Sequence, residues 1–231
     1  MKKKALAISV TCIAAIALLG GTYAAISTTS NPITKEVSTS KLGIKIDQNA
    51  DEAKEIVSKD DNSIIYGAVS GGETINSPVT IENTEDKDCY IRVTIYREWL
   101  DENGKLADFE KADPKEIDLL KIDETKTQQS LSGGTVDANW IYQEPEDDPE
   151  VVYAYYKTPV NSGGVTDRVF DSVKALKNSK TTNSNSYTGL QIQLTFDADA
   201  IQTTAAADAM TAEWGIIPIF NGTTLTSVRE Q

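Results

Sequence analysis

Two cysteines, no histidine and 35 carboxylates are the groups with which this 231-residue chain could do chemistry. Without histidine it lacks the commonest general base and the usual zinc ligand. A Ser–His–Asp triad, an HExxH metal site and a Cys–His nucleophile pair are therefore excluded by composition. Cys12 lies in an apolar N-terminal run and Cys89 in the stretch "CYIRVTIY". If the first departs with a leader, no intramolecular disulfide can form. The second is expected to pack as a small buried hydrophobe with an inert thiol.

The carboxylates crowd most densely in "EPEDDPE", where Glu144, Glu146, Asp147, Asp148 and Glu150 offer oxygens of the kind Ca²⁺ takes. The run has neither the ligand spacing nor the turn glycine of an EF-hand, so a solvated loop is expected. With 35 acids, no pair can be singled out as a glycosidase couple. Trp99, Trp140, Trp214, Tyr153, Tyr155 and Tyr156 could form a ligand platform, but rings in strands are ordinarily packing residues. Asn221 opens a lone "NGT" glycosylation-type triplet. No catalytic residue, metal or cofactor is expected.

The elements that hold these groups read as β. In "KLGIKID", Leu42, Ile44 and Ile46 alternate with Lys41, Lys45 and Asp47. Ile75, Val79 and Ile81 mark one or two further strands. Cys89, Ile91, Val93 and Ile95 then share one face, with Tyr90, Arg92, Thr94 and Tyr96 on the other. "DENGK" is a hairpin or loop signal, since Asn103-Gly104 tolerates positive φ. "VVYAYYK" and "LQIQLTFDAD" are strands, and "TAAADAMTAEWG" suits a short helix ending at Gly215. "NADEAKEIVSKD" reads as a short helix or turn, "DPKEIDLLKID" as one or two amphipathic helical turns, and "IIPIFNGTTLTSV" as a terminal strand or loop. Short alternating strands between turn signals predict an all-β fold: an antiparallel β-sandwich or jelly-roll-like domain with short helices in its loops.

The N-terminus has its own pattern. Lys2, Lys3 and Lys4 precede an uncharged apolar run from Ala5 to Leu19, which Gly20 and Gly21 break before "TYA". At about 15 residues the run is shorter than the roughly 20 a membrane-spanning helix needs. A signal peptide over residues 1–24, cut between Ala24 and Ala25, is expected. Losing three lysines and no acid takes the formal charge from −13 to −16. So acidic a surface keeps an exported chain soluble and opposes nucleic acid and anionic lipid. Neither a nucleic-acid partner nor a stable membrane anchor is expected. Residues 25–40, rich in Ser and Thr and broken by Pro32, read as an extended arm in front of a domain spanning 41–231.

The leader, ending Gly20-Gly21-Thr22-Tyr23-Ala24, resembles the signal peptides cut by the SipW-type peptidase of Gram-positive bacteria. The block "GGETINSPVTIENTEDKDCYIRVTIY" looks like the strand–turn–strand core of TasA and camelysin-like exported proteins. "GLQIQLTFDADAIQTTAAADAMTAEWG" is similar to the C-terminal part of clostridial members with that leader. The likeness covers the leader and about a third of the rest; residues 109–148 match nothing in it. It implies a secreted structural protein that polymerises into extracellular biofilm-matrix fibres. Its partners would be further copies of itself, other matrix proteins, and the peptidase during export. The arm of one subunit would add as a donor strand to the next, with Ile26, Ile33 and Val37 as its apolar anchors. Metallopeptidase activity attributed to camelysin-type relatives does not carry over to a chain without histidine. The alternatives are a monomeric surface adhesin or ligand-binding module and, behind it, an extracellular hydrolase.

Overall fold

The computed structural model describes the backbone at 44–46 and 55–57 and, beyond these, residues 62–67, 69–122, 126–132 and 137–231. All belong to one compact unit, Val37–Gln231. Among them are thirteen strands: β1 (Ile44–Ile46), β2 (Glu55–Val57), β3 (Ser63–Tyr66), β4 (Thr74–Ile81), β5 (Cys89–Leu100), β6 (Ile117–Ile122), β7 (Gln128–Ser130), β8 (Trp140–Gln143), β9 (Val151–Tyr156), β10 (Phe170–Ala175), β11 (Gln191–Gln202), β12 (Ile216–Asn221) and β13 (Thr224–Glu230). One α-helix, α1 (Ala206–Trp214), separates β11 from β12.

The strands form a five-stranded sheet in the order β1-β4-β10-β6-β7 and a six-stranded sheet in the order β2-β3-β11-β5-β9-β8. Every pairing is antiparallel, and β12 and β13 make a separate hairpin. The fold is an all-β antiparallel sandwich, as the alternation predicts. Its spine is the twelve-residue ladder of β5 on β11, from Gln191↔Leu100 to Gln202↔Cys89. Ile91, Val93 and Ile95 of β5 and Leu194 and Phe196 of β11 meet Val79 of β4 and Phe170 and Val173 of β10 in one buried cluster. Phe170 stacks on Phe196 across the two sheets, centroids 6.1 Å apart.

The other face of the six-stranded sheet is covered at one end. Tyr90, Tyr155 and Ile201 pack there against Met210 and Trp214 of α1 and Ile216 and Leu225 of the hairpin, forming a second buried cluster. Gly215 (φ +67°) ends the helix in the left-handed conformation that glycine takes without Cβ strain. Gly222 (φ +63°) serves the two-residue turn of the hairpin, so the "NGT" triplet is a turn.

Two segments depart from the expected reading. "NADEAKEIVSKD" holds β2, because Ile56 pairs with Ile65 of β3 and the ladder overrides local helix preference. "DPKEIDLLKID" keeps only a 3₁₀ turn at Pro114–Glu116, with Asp113 and Glu116 capping it reciprocally. The rest is β6, held between β10 and β7. An apolar run this short fits either period until a neighbouring strand decides. "DENGK" is a tight turn with Gly104 at φ +72° and Asp101 Oδ1 accepting from the N–H of Asn103 (2.8 Å) and Lys105 (3.0 Å). The next strand, however, lies in the other sheet.

Candidate functional site

A sandwich that joins to others does so at the rims of its sheets, where backbone groups have no neighbouring strand. Among the described residues the outermost strands are β1 and β7 of one sheet and β2 and β8 of the other. All four are short, three or four residues each. The rim formed by β7 and β8 is tied shut by side chains. Ser132 Oγ donates to Glu144 Oε1 (2.9 Å), and Lys121 Nζ lies 3.3 Å from Asp137 Oδ2. Tyr142 of β8 donates its hydroxyl to the Val169 carbonyl (2.7 Å). The opposite rim is made by β1 and β2, the first two described strands in chain order. Among the described residues, the two strands nearest the N-terminus thus lie at edges and the interior strands follow them in sequence. The expected cleavage residues Ala24 and Ala25 and the arm anchors Ile26, Ile33 and Val37 lie outside the described residues.

Next to the tied rim stands a group the sequence reading passed over. Arg97 continues the inner face of β5 two residues beyond Ile95 and is 1 % exposed. Its Nη1 donates to Glu144 Oε1 (2.8 Å) and to the Ile117 carbonyl (3.3 Å), and its Nη2 to the Pro149 carbonyl (2.9 Å). Burial pushes the guanidinium below its ordinary value and Glu144 pushes it back. The acidic run 144–150 is thus a loop anchored by a buried cation through Glu144 and Pro149. The signal was a charged residue at a core-parity position, which demands a partner. Among the described residues no group of three or more His, Cys, Asp or Glu side chains is arranged to hold a metal ion.

On the outer face Arg92 lies between two rings, 5.5 Å from the Tyr153 centroid and 5.2 Å from that of Trp214. Its Nη2 donates to Asp199 (2.6 Å) and its Nη1 to the Trp214 carbonyl (3.4 Å), joining the sheet to the end of α1. The aromatic residues are mainly packing groups. Trp140 is buried in the core, Tyr155 packs on Trp214 (5.9 Å), and Trp99 stacks on Tyr187 (4.3 Å). Cys89 is buried, its Sγ donates to the Lys87 carbonyl (3.3 Å), and burial with nearby acids pushes its thiol up to about 11. Thr94, placed by alternation opposite the core, is only 6 % exposed, because this second face is itself packed.

A solvent-open trough of about 580 Å³ runs between the Asp101–Lys111 loop and the Asn178–Leu190 loop. Its acids are partly committed, Asp101 to its own turn, and its one aromatic ring, Tyr187, is covered by Trp99. Among the described residues no helix is long and apolar enough to cross a membrane. No protein-family model, curated protein or solved structure matches this chain.

Proposed function

We propose that this chain is an exported structural protein that self-assembles into fibres of an extracellular matrix, released by a SipW-type peptidase and working outside the cell without catalytic chemistry. The arm 25–40 of one copy adds as a strand to the sandwich of the next, with Ile26, Ile33 and Val37 as anchors. The observation that carries this reading is the position of β1: among the described residues, the first strand after the arm is the outermost strand of its sheet. An arm leaving from a rim can pair with a neighbour without unthreading its own core, gaining main-chain hydrogen bonds along the added strand. The leader motif Gly20-Gly21-Thr22-Tyr23-Ala24 supports the export step.

The test is electron microscopy of the chain beginning at Ala25. Filaments are the expected result. Discrete particles at every concentration would contradict assembly and leave the monomeric adhesin or binding module in its place. N-terminal sequencing of the secreted product should begin at Ala25.

A further inference from the structure

Pro218 stands in the middle of β12, and the hairpin register fixes which way its backbone faces. The turn is closed by Asn221↔Thr224. Across a two-residue loop these two residues bond to each other. Counting back along β12, Ile219 and Ile217 also aim their N–H and C=O at β13, while Phe220, Pro218 and Ile216 aim theirs away. The register shift is absorbed by an extra residue on β13, Thr226, so the alternation on β12 is unbroken. Two contacts fit this phase. Leu225, opposite Phe220, sends its N–H out of the hairpin to the Lys157 carbonyl (2.7 Å). Thr226 Oγ1 donates to the inward-facing Ile219 carbonyl (2.9 Å). The one residue without an N–H therefore sits at the centre of the outward edge.

That edge has the makings of a pairing site. Among the described residues no strand lies beside it. Its sequence, IIPIFN, carries no charge, and Ile217 is 46 % exposed. In a chain of net charge −13, most approaches between copies bring like charges together; β12 offers one that does not. The occupant such an edge fits is the β12 strand of a second copy, antiparallel about a two-fold axis through Pro218. In that arrangement Pro218 meets Pro218 of the other copy, and both central hydrogen bonds are missing.

We infer that Pro218 is a guard residue, which keeps the C-terminal hairpin from pairing with its counterpart in a second copy. This goes beyond the assembly reading, and holds whether or not the arm builds fibres. It is tested on the compact unit Val37–Gln231, which contains both hydrophobic clusters and leaves out residues 25–36, most of the arm. Sedimentation velocity would compare the wild type with Pro218→Val, Pro218→Ala and the double variant Pro218→Val/Ile217→Lys. The wild type should be monomeric. Both single variants restore the donor and should dimerise, at least about tenfold more tightly than the wild type. The lysine on the edge should return the protein to monomer. If valine prevents folding, the alanine variant decides. Folded single variants that stay monomeric would overturn the inference, as would a wild type that dimerises or a dimer indifferent to Ile217→Lys.

Discussion

Arg92 and Arg97 sit five residues apart on the same strand and point to opposite faces of the same sheet. Arg97 is wholly buried between the sheets and meets a carboxylate and two carbonyls. Arg92 is partly open to solvent, braced by two rings and Asp199. One holds a loop against the core; the other fastens the α1–hairpin layer to the back of the sheet. The difference teaches that β5 is buried on both sides by unlike means. Its inner face is apolar from Cys89 to Ile95 and again at Trp99, interrupted by the buried ion pair of Arg97 with Glu144. Its outer face is a polar–aromatic seam, closed only where α1 and the hairpin lie.

The inner face should be the more sensitive. Val93 is fully buried between the sheets. Val93→Asp would place an unpaired charge there and should abolish cooperative unfolding as followed by circular dichroism. Arg97→Ala removes one partner of a buried pair and should cost about 3–5 kcal/mol in denaturant unfolding, with faster hydrogen exchange in 144–150. Thr94 sharpens the contrast. Were the outer face solvent, Thr94→Asp would be nearly silent. In the structure Thr94 is buried and pairs directly with Asp197, so the new carboxylate should cost about 1–3 kcal/mol, while Thr94→Val should be close to neutral. Arg92→Ala should cost about 1–2 kcal/mol through lost ring contacts and packing, and should loosen α1 before the core.

The smallest effect is on pH. The Cys89 thiol is raised from 9.0 to about 11 and the Tyr155 hydroxyl from 10.0 to about 12, each first by burial. Folding favours the neutral forms, so their contribution is intact below pH about 9 and is lost as pH rises through the folded values. The thermal midpoint should fall between pH 9 and 12, and Cys89→Ala should remove the earlier part of that fall.

The long strands were legible because each has one continuous apolar face: Leu194, Phe196 and Ala198 on β11, and Ile91, Val93 and Ile95 on β5. Alternation tells the two faces apart but does not reveal that both are covered. Tyr90 therefore reads as outward, and α1 and the hairpin, distant in sequence, bury it; Thr94 reads as outward too, yet is only 6 % exposed. β2 and β7 were illegible because, unlike β1 within "KLGIKID", their three residues sit in no alternating run, and a ladder partner makes them. Arg97 was legible in principle, as a charge in phase with a core. Its partner Glu144 was hidden among five similar acids in one loop. For the candidate assembly site the sequence offered the arm, and the fold added the place where the chain meets the rim.

The proposed assembly is tested most directly by removing Ala25 to Val37 from the secreted form and following growth of the protein by electron microscopy. The shortened chain should keep the circular dichroism of the intact sandwich and form no filaments. The excised segment, added as a free peptide, should stop growth of the full-length protein. Filaments forming at the ordinary rate without the arm would contradict strand donation and move the association to another surface of the sandwich.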